Sequence, residues 1–167
     1  MAKRGSTDSF PPVVPAGTKA LLLGSYPSPK SFAQGFYYGH PQNRFWPLVA
    51  ALAGQPVPQT VKERRAFILR GRLALWDVLR QCSITGAQDA SIAQPQPNAI
   101  AQLITQHGIQ AVFCNGQAAH RFYTRLCQPQ TGLAAVCLPS TSPANAAWGL
   151  ARLQAAWQPL APYLAPP

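Results

Sequence analysis

Four short apolar runs, spaced along the chain, constrain the fold more than any other feature of the sequence. Each run has the length of a buried strand, and helix-like segments separate successive runs. Parallel strands need crossover connections of this kind, so the pattern predicts an α/β fold: a three-layer α/β/α sandwich with a central, mainly parallel four-stranded sheet. The predicted strands are Lys19–Gly24, Gly71–Val78, Ile109–Cys114 and Leu133–Leu138.

The segments between the strands carry helix signals. Asn43 begins a helix that Gly54 ends, and Thr60, with Glu63 three residues later, forms a capping box at the start of a helix that reaches Leu69. Elsewhere the sequence predicts helices at Pro97–His107, after Gly116 as far as Leu126, and at Trp148–Trp157, with a polar loop at Gln81–Gln96.

One domain accounts for most of the chain. A length of 167 residues with 47% hydrophobic residues suits a single core, which we assign to residues 19–160. Residues 1–18 and 161–167, rich in proline, are predicted to be flexible ends. No apolar run reaches the ~18 residues of a membrane span. Because Met1–Pro12 lacks the apolar core of a secretion signal, we expect a cytoplasmic protein.

The charge balance indicates a polyanionic partner. There are 14 Lys and Arg residues against 4 acidic ones, a net charge of +10. Nucleic acid is the first candidate, followed by a membrane surface or an acidic protein. Four acids are few for a carboxylate metal site or a two-carboxylate hydrolase. The cysteines include no C-x-x-C pair, and Cys114 and Cys137 lie in predicted strands as core residues. We therefore expect reduced thiols, no metal and no cofactor.

Three segments should meet at the carboxyl edge of the sheet, where ligands bind in such folds. They are Ser25–Gln42, Asn115–Gly116 and Pro139–Ala147. The first holds the aromatic run Phe36-Tyr37-Tyr38, which either packs into the core or stacks on a base. Asn43 either caps its helix or takes part in chemistry.

Residues Gly24–Trp46 resemble motif one of the uracil-DNA glycosylase superfamily. Mismatch-specific uracil-DNA glycosylases carry Gly-x-Asn-Pro and then Gly-Phe-x-Phe-x-His-Pro-x-Asn-Arg-Phe-Trp. This chain has Gly24-Ser25-Tyr26-Pro27 and, at the same distance, Gly35-Phe36-Tyr37-Tyr38-Gly39-His40-Pro41-Gln42-Asn43-Arg44-Phe45-Trp46.

One departure from that motif bears on the substrate. The catalytic Asn that the family usually has in the first loop is replaced here by Tyr26, whereas Asn43 is retained. This combination is more similar to the hypoxanthine-DNA glycosylase branch, in which the Asn before Arg-Phe-Trp is catalytic. The resemblance therefore implies a glycosylase that removes hypoxanthine (deoxyinosine) from DNA without a lyase step.

The segment Leu138–Asn145 corresponds to motif two, which enters the minor groove in the family. The resemblance carries that role onto Ser140–Ala144, although the apolar wedge of the family is not evident. From the residues alone, the hydroxyls suit phosphate binding, and an ordinary turn with a helix cap is the alternative.

These considerations define a predicted site. Asn43 would position the attacking water, and Tyr38 would stack on the flipped base. Asn115 either forms a plain Asn-Gly turn or, as we expect, contacts the base or supports Asn43. His40 could act as a general acid or base, but we favour a role in holding the loop in shape. The remaining predicted residues are Ser25 and Tyr26 for base binding, and Ser28, Lys30, Arg44, Ser140, Thr141, Ser142 and Pro143 for DNA binding.

Alternatives remain open from the sequence. One alternative is a uracil-preferring enzyme for G:U mismatches, and another is a non-catalytic nucleic-acid binding module of the same fold. A hydrolase with Ser25 or Ser28 as nucleophile is disfavoured because neither lies in a G-x-S-x-G turn. For each of these functions we expect a monomer. The basic run Lys62, Arg64 and Arg65 either contacts DNA phosphates or forms a solvated helix face.

Overall fold

The computed structural model of the protein describes residues 3–4, 7–85 and 89–164. The helices, numbered along the chain, are α1 (Pro29–Gln34), α2 (Phe45–Ala53), α3 (Val61–Leu69), α4 (Ile100–His107), α5 (Gln117–Leu126), α6 (Gln128–Thr131) and α7 (Leu150–Ala156). The strands are β1 (Lys3–Arg4), β2 (Ala20–Gly24), β3 (Leu73–Asp77), β4 (Leu79–Thr85), β5 (Ala93–Pro97), β6 (Ala111–Asn115) and β7 (Ala135–Leu138). Short 3₁₀ helices cover Asp89–Ser91 and Gln158–Tyr163.

The central sheet has four strands in the order β3-β2-β6-β7, and every neighbouring pair is parallel. The register places Gly24 beside Asp77 and Asn115 beside Leu138, so the strands end together at one edge. The predicted four-stranded parallel sheet is confirmed.

Apolar layers cover both faces of this sheet. Along β2, Leu22 packs into a core that includes side chains of α2, α3 and α7, whereas Leu21 and Leu23 pack on the opposite side with α4 and α5. A strand buried on both faces must be apolar at every position, which explains the uninterrupted Leu21-Leu22-Leu23 run. The predicted three-layer arrangement is confirmed.

The helix signals of the sequence place several ends correctly. Thr60 Oγ1 accepts a hydrogen bond from Glu63 N, and Glu63 Oε2 accepts one from Gln59 N, which completes the cap of α3. Gly54 and Gly108 end α2 and α4 in the left-handed conformation. Helix α2 begins at Phe45, two residues later than predicted.

The prediction of a polar loop at Gln81–Gln96 is wrong over most of its length. Strand β4 pairs with β5 in an antiparallel hairpin that contains register shifts, and β1 pairs with the other edge of β4. Cys82 and Ile84 face the core, while polar residues alternate with them on the outer face. Register shifts and a polar outer face together hide the two-residue period of these strands. Residues 86–88 lie outside the described part of the chain.

No disulfide joins the four cysteines, all of which lie within the described residues. Cys114 lies in the core as expected, and burial raises the pKa of its thiol. The assignment of Cys137 to the core is wrong, because Cys137 is exposed on β7, which forms an edge of the sheet. Within the described residues, no helix has the length and apolar character needed to cross a membrane.

Segments at both ends of the chain pack on the domain. Val13 exchanges backbone hydrogen bonds with Leu75 and is buried. At the other end, Tyr163 O accepts a hydrogen bond from Arg72 N, and Leu160 and Leu164 are buried. Residues 13, 160 and 164 thus contribute side chains to the core.

Replacing Trp157 should test how strongly the last helix holds the fold. Its indole is fully buried, and Nε1 donates to Pro139 O at 2.9 Å. We expect Trp157→Ala to lower the free energy of unfolding by about 3–5 kcal/mol in urea titrations. Leu69→Ala is the matched control, since Leu69 is 47% exposed and should change it by less than about 0.5 kcal/mol. Equal effects of the two substitutions would contradict this account.

Candidate active site

A cavity of about 240 Å³ opens at the carboxyl edge of the parallel sheet. Drug-sized ligands usually occupy roughly 300–1,000 Å³, so this cavity suits a smaller planar ligand. The predicted residues Lys30 and Arg44 lie outside its lining, and the other predicted residues line it. These are Ser25, Tyr26, Ser28, Tyr38, His40, Asn43, Asn115, Ser140, Thr141, Ser142 and Pro143.

The first loop folds back on itself around a short helix that sequence analysis did not predict. Ser28 Oγ caps α1 by accepting from Ser31 N at 3.1 Å, and Ser31 Oγ accepts from Gly39 N at 2.9 Å. Ser28 is therefore a cap of α1 as well as a lining residue, and Lys30 is exposed on that helix.

Tyr38 adopts a conformation that is rare for a residue with a side chain. Its φ angle is 54°, in the left-handed region, where a non-glycine residue is strained and often functional. The ring stacks on Phe45, with centroids 4.1 Å apart and an angle of 28° between planes. Burial, and then the nearby charge of Asp77, raises the pKa of the Tyr38 phenol. The hydroxyl therefore stays protonated and remains a hydrogen-bond donor.

Asn43 is fixed by two hydrogen bonds in the turn before α2. Its Oδ1 accepts from Phe45 N at 3.0 Å, and its backbone N donates to His40 O at 2.9 Å. His40 Nδ1 in turn accepts from Gln42 N at 3.0 Å. The asparagine amide therefore lines the cavity from a rigid turn.

A reciprocal amide pair joins the end of β6 to the second loop. Asn115 Nδ2 donates to Thr141 Oγ1 at 3.0 Å, and Thr141 N donates to Asn115 Oδ1 at 3.1 Å. Thr141 is fully buried, and its carbonyl accepts from Arg44 N at 3.1 Å. Asn115 is thus connected through Thr141 to the backbone of Arg44, the residue that follows Asn43.

Arg44 connects the two loops through its side chain. One guanidinium nitrogen, Nη2, donates to Ser142 O at 2.8 Å and to Asn145 O at 2.9 Å. The sequence did not indicate that Arg44 would hold the two loops together. The predicted contact of Arg44 with DNA phosphate stays a prediction.

The polar side chains of the second loop also bind its own backbone. Ser140 Oγ accepts from Ser142 N at 3.1 Å, and Ser142 Oγ accepts from Ala144 N at 3.2 Å. Asn145 Nδ2 donates to Ser140 O at 2.9 Å. Each serine hydroxyl keeps its own O–H after accepting one bond, so it can still donate to a ligand.

The side chain of Tyr26 points to the N-terminal segment. It is only 8% exposed, its hydroxyl donates to Thr7 O, and its ring lies against Phe32. These contacts leave the backbone of the Ser25–Tyr26 turn as the part that can meet a ligand.

Asp77 is the ionisable cavity residue among those that sequence analysis missed. It ends β3, is 4% exposed and lines the cavity. A Cβ added at Gly24 would lie 2.5 Å from Asp77 Oδ1, so a side chain on the neighbouring strand would displace the carboxylate from this position. The available signal was positional: the apolar run Leu73–Trp76 ends in an acid at the same edge as Gly24.

Basic side chains of α3 pack beside the first loop. The Arg65 guanidinium lies 4.9 Å from the Phe36 ring centroid, and that of Arg64 lies 5.4 Å from the Trp46 ring. Arg64 Nη1 also donates to Gln34 Oε1 of α1 at 2.8 Å. Part of the predicted basic run thus faces the first loop.

Substitutions at Thr141 should test the pair with Asn115. Thr141→Val keeps the shape but removes the acceptor of the partly buried Asn115 amide N–H, so it should lower the free energy of unfolding by about 0.5–1.5 kcal/mol. Thr141→Ser keeps the hydroxyl and is the matched control. Urea titrations compare the two variants, and equal losses would show that the hydroxyl contributes nothing.

Comparisons with known proteins show the family to which the chain belongs. The sequence model of the Uracil DNA glycosylase superfamily matches residues 11–161. A hypoxanthine DNA glycosylase of Methanosarcina acetivorans is 35% identical over 147 residues, which cover 87% of this chain and 89% of that protein. Another of Methanosarcina barkeri is 35% identical over 99 residues, 59% of this chain and 60% of that one. The solution NMR structure of a candidate uracil DNA glycosylase from Methanosarcina acetivorans superposes with a TM-score of 0.79 at 30% identity, covering 95% of this chain and 98% of that one. The chain belongs to the uracil DNA glycosylase superfamily.

Proposed function

We propose that the protein is a monofunctional DNA glycosylase that hydrolyses the N-glycosidic bond of hypoxanthine in DNA and leaves an abasic site. One observation carries the proposal: a rigidly held amide, Asn43, shares a cavity of about 240 Å³ with an aromatic ring, Tyr38. The relatives named hypoxanthine DNA glycosylases support the same activity.

The base must leave the duplex to reach such a cavity. Flipping costs a few kcal/mol and is cheaper for a mispaired base, which gives selectivity before any chemistry. Inside, the base would stack on Tyr38, whose other neighbour in the stack is Phe45. Backbone N–H groups of the Ser25–Tyr26 turn would donate to the purine oxygen.

Asp77 supplies a way to select deaminated bases. Hypoxanthine, uracil and xanthine carry a ring N–H next to a carbonyl, whereas adenine and cytosine have a bare nitrogen at that position. A buried carboxylate accepts from the N–H but repels the lone pair of the bare nitrogen. Asp77 lies beside Gly24 at the strand ends, so it would meet the base.

Asn43 would orient the attacking water. A carbonyl oxygen has two lone pairs, and the bond from Phe45 N engages one of them. The other would accept from a water aimed at C1′ of the sugar. The water oxygen bonds to C1′, and the C1′–N9 bond breaks with its electron pair going to the base. The proton that the water loses passes through solvent to the base anion, so that neutral hypoxanthine leaves. The gain comes from orientation, because an amide is a poor base.

The charges around the cavity suit a cationic transition state. Bond breaking leaves an oxocarbenium-like sugar, which a nearby cation would destabilise. Among the described residues that line the cavity, none is lysine or arginine. Arg44, which follows Asn43 directly in the sequence, binds carbonyl groups of the second loop. The basic groups would instead contact phosphates from outside, with Lys30 and Arg65 as candidates.

An assay on defined duplexes tests the proposal. Duplexes with a single hypoxanthine, uracil, xanthine or adenine are incubated with the protein, and abasic sites are then cleaved with alkali. We expect cleavage at hypoxanthine and none at adenine. Faster cleavage at uracil would favour the uracil-preferring alternative, and DNA binding without cleavage of any substrate would favour the non-catalytic module.

Two substitutions at Asn43 should separate catalysis from capping. Asn43→Ala and Asn43→Ser both remove the amide and should slow hypoxanthine release by on the order of 100-fold. The serine hydroxyl can still accept a hydrogen bond from Phe45 N, as Asn43 Oδ1 does, so only the alanine variant should also lose about 1 kcal/mol of stability. Full hypoxanthine release by the serine variant would refute the assignment of Asn43.

Neutralising Asp77 should weaken recognition of the base. Asp77→Asn should slow hypoxanthine release by on the order of 10- to 100-fold, because a charge-assisted hydrogen bond contributes about 1.5–3 kcal/mol. Glu63→Gln removes the same charge from the exposed cap of α3 and should leave the rate unchanged. Single-turnover rates decide, and equal rates for the two variants would rule out a role for Asp77.

A further inference from the structure

Residues 7–14, which we call the N-terminal strap, are bound along the edge of the cavity by their backbone. Phe10 O accepts from Trp76 Nε1 at 3.0 Å, and Ser9 N donates to Arg80 O at 2.9 Å. Val13 and Leu75 exchange two backbone bonds of 3.0 Å. The strap is therefore held against β3 and the start of β4 at several points.

The strap also binds both ends of the aromatic first loop. The Tyr26 hydroxyl donates to Thr7 O, and the Tyr37 hydroxyl donates to Pro11 O at 3.0 Å. Tyr37 precedes the strained Tyr38, and their ring centroids are 6.3 Å apart. A shift of the strap would thus move the residues on either side of the cavity.

Phe10 is the strap residue that lines the cavity. Its ring centroid lies 5.4 Å from that of Tyr37 and 5.4 Å from that of Phe32. The strap is bonded to Leu75 and to Arg80, which lie on either side of Asp77 in the chain, and the Phe10 ring packs against two aromatic neighbours. Phe10 is therefore an apolar part of the same cavity wall as Asp77.

A glycosylase for hypoxanthine needs such a wall. Guanine carries the same O6 and N1–H as hypoxanthine and differs only by an amino group at C2, so a carboxylate that accepts from N1–H accepts both bases. Guanine is a normal base and must be excluded by shape or by an unsatisfied polar group. C2 is the neighbour of N1 on the side away from O6.

We propose that Phe10 is a specificity-determining residue whose ring excludes bases with a substituent at C2. This inference rests on the proposed function. With O6 at the Ser25–Tyr26 turn and N1–H at Asp77, C2 faces the wall beside Asp77. There an amino or oxo group would collide with an apolar ring and lose its hydrogen bonds to water.

The test is the relative rate of release of xanthine, which has an oxo group at C2, and hypoxanthine. Single-turnover rates on duplexes containing each base, and guanine as a third substrate, are measured for wild type, Phe10→Ala and Phe32→Ala. Phe32 belongs to the same aromatic cluster but does not line the cavity. Phe10→Ala should raise the xanthine-to-hypoxanthine ratio by about tenfold or more. Phe32→Ala should leave the ratio at the wild-type value.

The possible outcomes separate this inference from the proposed function. No hypoxanthine release by wild type overturns the proposed function and the inference with it. Hypoxanthine release by wild type with an unchanged ratio in folded Phe10→Ala overturns the inference alone. Phe10→Leu is measured in parallel, because it keeps apolar packing if the alanine variant does not fold. An unchanged ratio in the leucine variant overturns the inference in that case.

Discussion

The parallel register of the central sheet is the constraint on which the whole site depends. Because β2, β3 and β6 run in the same direction and end together, Gly24, Asp77 and Asn115 arrive at one edge. The first loop, the turn into α5 and the second loop all leave from that edge. A one-residue slip of β3 against β2 would move the Asp77 carboxylate to the other face of the sheet. The chemistry of the cavity is thus set by strand pairing before any loop is considered.

The loops then hold one another through buried polar contacts. Asn115 binds Thr141 twice, and the backbone and guanidinium of Arg44 bind the carbonyls of the second loop. An arginine bound in this way contributes geometry more than net charge. The basic residues therefore differ in their surroundings: Arg44 joins the two loops of the site, whereas Lys30 and Arg65 are exposed.

The features that follow from local patterns were predictable from the sequence. Apolar runs gave the four parallel strands, and Thr60 with Glu63 gave a helix start that the structure confirms. The hairpin of β4 and β5 was not predictable, because polar residues and register shifts interrupt its period.

Most of what sequence analysis missed in the site depends on contacts distant along the chain. Asp77 is an ordinary acid until the register places it beside Gly24. The N-terminal strap binds the tyrosines of the first loop through backbone carbonyls, which every residue has, so no sequence pattern marks it. The role of Arg44 in joining the two loops was not predictable, because its carbonyl partners lie about a hundred residues away in the chain.

In the proposed reaction, the Asp77 carboxylate would act on the two halves of the substrate in opposite senses. A negative charge at this place would favour an oxocarbenium-like sugar but disfavour negative charge on the departing base. The second effect would have to be offset by donors to the base, for which the proposed candidates are backbone N–H groups of the Ser25–Tyr26 turn. Because Asp77 ends β3 beside Gly24, and the turn follows Gly24 directly, the parallel register would bring these two opposing groups to the same base.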